Sequence, residues 1–398
     1  MATTQPPDEA SVKDALRGVV DPELGDNIVD LGMVDRVEVL PGGVVLVRVG
    51  LTTPSCPLRG QIKAEVTGRV GALPGVSQVK VETSEMGRAQ KAALMARARW
   101  RASQKAPPTA VPPRARVLAV SSGKGGVGKS SVAVNLAAGL AARGYCVGVL
   151  DADIAGFSVP RLLGLHGQLE GTWDPSVPGR KVIRPLVRAC GSGELRVASM
   201  GFLAGEDEPV MWRGLMLNRA VQHFLEEVAW GDLDYLVVDM PPGTGDVQMG
   251  LARMLPRAEV IVVTTPAQAA QKVAARAATM ARKGYLRVVG VVENMSSFVC
   301  EHGERYELFG TGGGQRLADE VGAPLLASIP LEPSVSAGGD RGEPVALERS
   351  TPAGSAFAAL VDEVERLCPA VQMTNCSARV LEALEALGQV PEAAAPIG

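Results

Sequence analysis

Short apolar runs recur along the second half of this chain, and each is followed by a segment in which apolar residues repeat with a helical period. Runs rich in Val, Leu and Ile are typical of buried strands. Their alternation with helical patterns predicts an α/β fold, with a mostly parallel sheet flanked by helices. The predicted strands are residues 117–120, 147–150, 195–200, 236–239, 260–264, 288–293 and 325–329.

A different pattern precedes that region. Residues 12–20 have the spacing of a helix, and two alternating segments, 34–39 and 44–51, flank a Pro-Gly-Gly turn as the arms of a β-hairpin do. A second helix is predicted over 57–70, where a proline occupies the first turn, and a last strand over 76–82. The order helix, strand, strand, helix, strand predicts a small α+β domain.

Proline marks the boundary between the two regions. Residues 103–114 contain four prolines in twelve positions, which favours a semi-rigid extended tether of ~37 Å. The basic segment 88–105 before it fits a solvated helix, or a patch for nucleic acid or an acidic partner. We therefore predict four parts: an α+β domain (8–102), a proline-rich linker (103–114), the α/β domain (115–370) and a partly disordered tail (371–398).

One loop carries most of the chemical information. The residues from Gly123 to Ser130 match the phosphate-binding pattern G-x-x-x-x-G-K-[ST], after a predicted strand and before a helix predicted over 131–143. Backbone N–H groups and a helix dipole bind phosphate there, and we expect Lys129 to contact the β- and γ-phosphates and Ser130 to ligate Mg²⁺. The predicted nucleotide-binding residues are Gly123, Lys124, Gly125, Gly126, Val127, Gly128, Lys129, Ser130 and Ser131.

A second lysine in the loop narrows the class. Lys124 directly follows the first glycine, and the resulting Lys-Gly-Gly-Val-Gly-Lys resembles the deviant Walker A pattern. In that class the extra lysine reaches the phosphates bound by a partner subunit. A cation delivered in this way stabilises the charge of phosphoryl transfer and is worth ~10³–10⁵ in rate. Lys124 and Lys129 are therefore both predicted to be catalytic.

Carboxylates follow two of the predicted strands. Asp151 and Asp153 come directly after residues 147–150, and Asp239 ends the strand 236–239. Because ligands of an open α/β sheet bind at the carboxyl ends of its strands, these side chains are expected near the phosphates. We predict that Asp153 polarises the attacking water, that Asp151 belongs to the outer shell of the metal, and that Asp239 is the Walker B carboxylate.

These motifs, with others, make the chain similar to the Mrp/ApbC family of P-loop ATPases, described as iron–sulfur cluster carriers, fused to a MIP18-like N-terminal domain. The resemblance covers nearly all of residues 8–368. It rests on the loop above, on Leu150-Asp151-Ala152-Asp153-Ile154, on Met211-Trp212-Arg213-Gly214, on residues 231–248 with Asp239-Met240-Pro241-Pro242-Gly243-Thr244-Gly245-Asp246, on residues 291–296 and 309–314, and in the small domain on Asp21-Pro22-Glu23 and Thr53-Pro54-Ser55-Cys56-Pro57.

The resemblance implies a homodimer that binds and hydrolyses ATP and carries an iron–sulfur cluster to recipient apoproteins or an assembly scaffold. It implies that Asn294 contacts adenine, which suits a side-chain amide that can both donate and accept. It also implies a cluster held between subunits by a Cys-x-x-Cys pair from each. Soft thiolates are the usual ligands of iron–sulfide centres.

This chain departs from that cysteine pattern. Cys300 occupies the first ligand position, but Gly303 occupies the second, so that a symmetric dimer supplies two thiolates from this motif rather than four. His302 or Cys56 are candidates to complete the set, and loss of the cluster site is the alternative. Cys56 precedes a proline at a predicted helix N-terminus, which fits either a reactive, metal-binding thiolate or a plain buried cysteine.

The charge and composition of the chain limit the cellular location and the binding partners that we expect for it. The formal net charge of −3 argues against a general nucleic-acid binder. No apolar stretch approaches the length of a membrane span, and the N-terminus lacks the regions of a signal peptide. We therefore expect a cytoplasmic protein with reduced cysteines and with neither nucleic acid nor membrane as a partner.

Two other functions remain open at this point. A MinD/ParA-type positioning ATPase uses the same nucleotide loop, but the candidate membrane helix over 377–387 carries three glutamates against one arginine. A nucleotide-gated scaffold that has lost its cluster is the other, and it is suggested by Gly303.

Overall fold

The structure is a computed structural model that describes residues 6–21, 26–52, 58–104, 106–154, 156–174, 179–203, 214–243 and 245–371. The chain divides into two compact units. The first comprises Met1–Pro107 with Met249–Arg257 and Thr279–Arg287, and the second comprises the rest of the chain.

The N-terminal part of the first unit is an α+β module. Its helices are α1 (Glu9–Leu16), α2 (Arg59–Gly71) and α3 (Arg88–Gln104), and its strands are β1 (Val20–Asp21), β2 (Asp26–Asn27), β3 (Val34–Leu40), β4 (Val44–Leu51) and β5 (Gln78–Glu85). β4 lies at the centre of a sheet, antiparallel to β3 and parallel to β5. The alternating side chains of β4 and the apolar faces of α1 and α2 meet in one core, which includes Val12, Leu16, Val45, Val47, Val49, Ile62 and Val66.

The predicted hairpin of this module is confirmed, and its first helix is displaced from the prediction. α1 begins at Glu9 rather than at residue 12, because the Asp8 carboxylate accepts a hydrogen bond from the Ser11 N–H at 2.8 Å and caps the helix there. The basic segment 88–105 forms α3 as far as Gln104, as its pattern predicts.

The second part of the chain contains the larger sheet. Its strands are β6 (Arg116–Ser122), β7 (Cys146–Asp151), β8 (Glu170–Trp173), β9 (Lys181–Arg184), β10 (Leu186–Cys190), β11 (Gly193–Ser199), β12 (Tyr235–Asp239), β13 (Glu259–Thr264), β14 (Arg287–Val299), β15 (Arg305–Tyr306) and β16 (Leu325–Leu331). Its helices are α4 (Lys129–Ala142), α5 (Val159–Leu162), α6 (Gly214–Glu227), α7 (Asp246–Met254), α8 (Gln268–Lys283), α9 (Gly313–Val321), α10 (Pro333–Arg341) and α11 (Pro352–Leu367).

The sheet is mostly parallel. Among the described residues its order is β10-β11-β7-β12-β6-β13-β14-β15, and β16 pairs with β14. β11, β7, β12, β6 and β13 are paired in parallel, so that their carboxyl ends meet at one edge. β10 and β15 are antiparallel additions that the apolar pattern did not predict.

All seven strands predicted for this sheet are present, with shifted ends. β11 ends at Ser199 rather than at residue 200, because the Ser199 hydroxyl accepts a hydrogen bond from Gly201 N–H at 3.1 Å and starts a short 3₁₀ turn. In the described part of the chain no helix combines the length and the apolar character that crossing a bilayer requires. The tail helix predicted over 377–387 lies outside the described residues.

Candidate functional site

The phosphate-binding loop connects β6 to α4. The helix begins at Lys129, and its N-cap, Gly128, has a φ of 81°. This left-handed conformation favours glycine, and a Cβ at this position would also clash with the Asn294 amide. The phosphate-binding pattern therefore has glycine where the backbone conformation requires it, directly before the N-terminus of α4, the end of a helix at which anions bind.

Lys129 is held by carboxylates. Its side chain is 6% exposed, and its Nζ lies 2.6 Å from Asp239 Oδ1 and 3.5 Å from Asp153 Oδ2. The Ser130 hydroxyl accepts a hydrogen bond from the same ammonium group at 3.3 Å. A buried ammonium group needs opposite charge nearby, and these two carboxylates supply it.

Asp239 is fully buried at the end of β12, next to the loop. Burial raises the pKa of its carboxyl group, and the nearby Lys129 ammonium opposes that shift. Its Oδ2 has no hydrogen-bond partner among the described residues. A buried oxygen of this kind beside the Ser130 hydroxyl fits a hard divalent cation such as Mg²⁺, which prefers oxygen ligands.

Asp151 is engaged with the chain that follows it. Its Oδ1 accepts from Asp153 N–H at 3.2 Å, and its Oδ2 accepts from Ser158 N–H and Val159 N–H at 3.3 Å each and from the Ser199 hydroxyl at 3.1 Å. These contacts anchor the residues after β7 in the position that brings Asp153 to Lys129. Ser199 was not among the predicted site residues, and its only signal in the sequence is its place near the end of a predicted strand.

The environment of Asp151 changes its acidity. Burial, and next the charge of Asp239, raise its pKa from 3.8 to about 7. The register aligns Asp151 with both Ser199 and Asp239 across neighbouring strands. Two carboxylates at the same level of the sheet, with solvent excluded, disfavour each other's ionisation, which raises the pKa of both groups.

The loop after β12 is tied to β6 and to its own helix. Gly243 N–H donates to Ser122 O at 3.0 Å, and the Gln248 amide donates to Pro241 O at 3.0 Å and to Gly243 O at 2.5 Å. Gln248 is 8% exposed, and its two hydrogen bonds stabilise the Pro-Pro-Gly turn. Thr244 lies outside the described residues.

Asn294 lies on β14 against the phosphate loop. It is 7% exposed, and its Nδ2 donates to the Val127 carbonyl at 2.9 Å. The neighbouring Glu293 is also buried, and its Oε2 accepts from Gly314 N–H at 2.5 Å, at the start of α9. The amide predicted to contact adenine therefore touches the loop that is predicted to bind the phosphates.

Cys300 follows β14 in a tight hairpin. Cys300 N–H donates to Glu304 O at 3.0 Å, and Gly303 N–H donates to Cys300 O at 2.9 Å. These bonds enclose a three-residue loop, residues 301–303, and its last residue, Gly303, has a φ of 82°. Hairpin loops of three residues commonly have a left-handed residue at this last position. The second ligand position of the expected Cys-x-x-Cys pair is thus a position that favours glycine.

The surroundings of Cys300 are only partly those of a metal centre. Its thiol is free and partly exposed. The His302 side chain is 80% exposed on the same turn. Among the described residues no cluster of three or more His, Cys, Asp or Glu has the geometry to hold a metal ion. Cys56, the other candidate thiolate, lies outside the described residues.

The structure therefore brings together most of the predicted nucleotide site at one edge of the sheet. Lys129, Asp153 and Asp239 are in contact, and Asn294 reaches the same loop. Lys124 lies apart from this cluster as an exposed side chain at the tip of the loop.

Comparisons with known proteins agree with this geometry. The profile of the NUBPL iron-transfer P-loop NTPases matches residues 114–365, and that of the iron–sulfur cluster assembly proteins matches residues 9–82. An iron–sulfur cluster carrier protein of Mycobacterium leprae is 43% identical over 89% of this chain and 92% of its own length. One from Synechocystis sp. is 40% identical over 91% of this chain and 98% of its own.

Among solved structures, a nucleotide-binding protein of Archaeoglobus fulgidus in complex with ADP is 34% identical, over 61% of this chain and 91% of its own length, with a TM-score of 0.49. The expected fold, a P-loop domain after a small α+β domain, is confirmed by the two profiles and by the sheet described above. The chain belongs to the family of NUBPL iron-transfer P-loop NTPases and carries the Mrp/ApbC arrangement with a MIP18-like domain at its N-terminus.

Proposed function

We propose that this protein binds and hydrolyses ATP and carries iron–sulfur clusters to recipient apoproteins or an assembly scaffold, acting as a homodimer in the cytoplasm. The observation that carries the proposal is the buried Lys129 ammonium, which lies between Asp153 and Asp239 at the mouth of the phosphate loop. Membership of an iron-transfer family supports the cargo, and the names of the relatives support the carrier role.

Each residue of the site has a defined task in this proposal. The backbone N–H groups of the loop bind phosphate oxygens, and Lys129 leaves the carboxylates to contact the β- and γ-phosphates. Ser130 and Asp239 hold Mg²⁺, which neutralises phosphate charge when it is bound, and Asp151 supports them from the outer shell. Asn294 contacts adenine.

Hydrolysis then requires a water molecule and a cation. Asp153 orients the water so that its oxygen bonds to the γ-phosphorus while the bond from that phosphorus to the β–γ bridging oxygen breaks; ADP, inorganic phosphate and a proton are released. Lys124 of the partner subunit stabilises the charge on the transferred group. The exposure of Lys124 at the loop tip supports this assignment, because a lysine that acts across an interface must project from its own subunit.

Nucleotide binding is tested by titration calorimetry with ATP and Mg²⁺. We expect binding by the wild-type protein and by Lys63→Ala, an exposed lysine of α2, and loss of binding in Lys129→Ala. Equal binding by Lys129→Ala and the wild type would contradict the proposal.

The cargo is tested by anaerobic reconstitution followed by assay of iron and acid-labile sulfide. We expect both to be retained by the wild-type protein and by Cys146→Ala, and to be reduced in Cys300→Ala. Burial raises the pKa of the Cys146 thiol to about 11, which makes it a poor metal ligand and a suitable control.

A nucleotide-gated scaffold without a cluster is the second candidate. The observation that favours it is Gly303 at a left-handed turn position, where the family pattern has its second cysteine. This function predicts that neither iron nor sulfide is retained in any nucleotide state, while Cys300→Ala keeps the activity that Lys129→Ala loses. For a positioning ATPase of the MinD/ParA type, the candidate membrane helix over 377–387 carries three glutamates against one arginine, a charge that does not favour binding to an anionic bilayer.

A further inference from the structure

Two adjacent residues of β14 form hydrogen bonds to two different segments of the chain, the phosphate loop and the first turn of α9. Asn294 Nδ2 donates to the carbonyl of Val127 in the phosphate loop at 2.9 Å. Glu293 Oε2 accepts from Gly314 N–H in the first turn of α9 at 2.5 Å. Both side chains are more than nine-tenths buried, so that these bonds are shielded from competing water. A movement of residues 293–294 therefore changes the positions of both the phosphate loop and the start of α9.

The hydrogen bond between Glu293 and Gly314 N–H links the two ends of the segment 294–313, which contains Cys300. The chain leaves β14 after Val299, forms the hairpin at Cys300 and returns at Gly314. One end of the segment is covalently continuous with Asn294, and the other is bonded to Glu293. The segment that contains the hairpin is therefore anchored at one end to Asn294, which contacts the phosphate loop, and at the other end to Glu293, its neighbour in the strand.

The strand between the two loops is bent at one residue. Met295 has a φ of 56°, a left-handed conformation that residues with a side chain adopt at a cost. The pairing of β14 with β16 shifts register between Asn294 and Phe298. The strand therefore does not run as a regular ladder from the phosphate loop to the hairpin, and its pairing with β16 resumes in a shifted register at Phe298.

Contact with the phosphate loop is close enough to transmit small movements. Gly128 approaches the Asn294 amide so nearly that a Cβ would clash with it. Val127 is 2% exposed and Asn294 is 7% exposed, which leaves little free space around the bond. Packed interiors deform little, so a rearrangement of the loop displaces the strand rather than being absorbed locally.

We propose that Asn294 and Glu293 couple the phosphate loop to the Cys300 hairpin. When the phosphate loop moves, the hydrogen bond from Asn294 to the Val127 carbonyl moves this part of β14 with it. The hydrogen bond between Glu293 and Gly314 N–H then moves the N-terminus of α9, which is the other end of the segment that contains the hairpin. Both are positioning residues that act through main-chain groups. The inference rests on the proposed nucleotide binding and adds to it the route by which nucleotide state reaches the thiol.

The experiment measures the rate at which N-ethylmaleimide alkylates Cys300 in the full chain, quantified by mass spectrometry of its peptide. Rates are compared without nucleotide and with saturating ATP and Mg²⁺, and saturation is established by calorimetry for each variant. Buried Cys190 and Cys368 serve as internal controls for an intact fold. In the wild-type protein we expect nucleotide to change the Cys300 rate about fivefold or more, the usual size of a coupling between sites.

Glu293 provides the decisive variants, because its side chain contacts α9 rather than the phosphate loop. Glu293→Ala removes the acceptor of Gly314 N–H, and we expect it to bind ATP with unchanged affinity while the ratio of rates falls to about one. Glu293→Gln keeps an oxygen that can accept the same bond, and we expect it to retain most of the effect. It also guards against a general loss of folding in Glu293→Ala.

The possible failures are distinguishable. A wild-type protein that binds ATP but shows no change at Cys300 refutes the coupling and leaves the nucleotide function intact. A full effect in Glu293→Ala refutes the assignment to this residue. Absence of ATP binding in the wild-type protein overturns the proposed function and the coupling together.

Discussion

Lys129 is as much a part of the folded core as of the nucleotide site. It is 6% exposed and lies 2.6 Å from the fully buried Asp239. Removing one partner of a buried ion pair leaves the other charge without compensation, which is far more costly than the net gain from the pair itself. A substitution at Lys129 therefore tests stability and nucleotide binding at the same time.

We predict that Lys129→Ala lowers the free energy of unfolding by about 3 kcal/mol in the absence of nucleotide. Lys129→Ala combined with Asp239→Asn should recover most of that loss, because the unpaired carboxylate is gone. Denaturant titration of the two single variants and the double variant measures the coupling. Additive effects would show that the pair does not stabilise the empty site.

Asp151 makes stability depend on pH. Its folded pKa of about 7 lies above the ordinary value of 3.8, so the folded state binds this proton more tightly than the unfolded state. Stability then decreases as pH rises from about 4 to about 7, and the cost of ionising the buried group persists above that. The raised pKa of Asp239 acts in the same direction.

We predict that Asp151→Asn flattens the pH dependence of the free energy of unfolding between about pH 4 and pH 7. Asp319→Asn, at an exposed position on α9, should leave it unchanged. Chemical denaturation across this pH range checks both, and parallel curves for the wild type and Asp151→Asn would contradict the assignment.

At the scale of elements, the hairpin after β14 shows how the backbone conformation of a turn limits which residues can occupy a ligand position. Gly303 has a φ of 82° and open space around its Cα, so the backbone rather than crowding disfavours other residues there. Restoring a Cys-x-x-Cys pair in this chain therefore means placing a cysteine in a left-handed conformation.

We predict that Gly303→Cys lowers the free energy of unfolding by about 1 kcal/mol, the usual cost of a side chain in this conformation. Gly303→Asn is the matched control and should cost less, because asparagine tolerates left-handed backbone better than other residues with side chains. Equal stability of the two variants would contradict the turn assignment.

Elements with strong local patterns were predictable from sequence, and those stabilised by distant contacts were not. The seven buried strands of the larger sheet carry apolar runs, and each is present. β10 and β15 are short and antiparallel, and their pairing depends on neighbours that no local pattern specifies. The start of α1 was misplaced because a single capping carboxylate, Asp8, decided it.

The same distinction applies to the site. The proximity of Lys129, Asp153 and Asp239 was predictable from spacing, because strand ends in a parallel sheet meet at one edge, and their roles in nucleotide binding remain predictions. The contacts of Ser199, Gln248 and Glu293 were not predictable, since each acts through a bond to a residue far away or across a turn. Ser199 lies near the end of a predicted strand, and Gln248 and Glu293 lie within the segments 231–248 and 291–296 that carry the family resemblance, but no pattern assigned these side chains a role.

At the scale of the whole molecule, the remaining predictions concern assembly and domain limits. The boundaries at 8–102, 103–114 and 115–370 remain predictions, as does the homodimer. The dimer matters for chemistry because Lys124 is assigned to the nucleotide of the partner subunit.

We predict that Lys124→Ala keeps ATP affinity but loses roughly 10³-fold or more in turnover, as removal of a cation supplied in trans does. Asp153→Asn should also be inactive. A mixture of the two variants should regain hydrolysis, because a mixed dimer contains one site with both groups intact. A mixture that stays inactive would show that Lys124 acts within its own subunit, and full turnover by Lys124→Ala alone would show that it takes no part in hydrolysis.

The ion pairs of Lys129 have a consequence for selectivity. An anion that recruits this ammonium group must compete with the carboxylates of Asp153 and Asp239, which lie 3.5 Å and 2.6 Å from it. The loop should therefore discriminate against small anions, whose few contacts do not offset that exchange, and favour a ligand that the rest of the site also recognises.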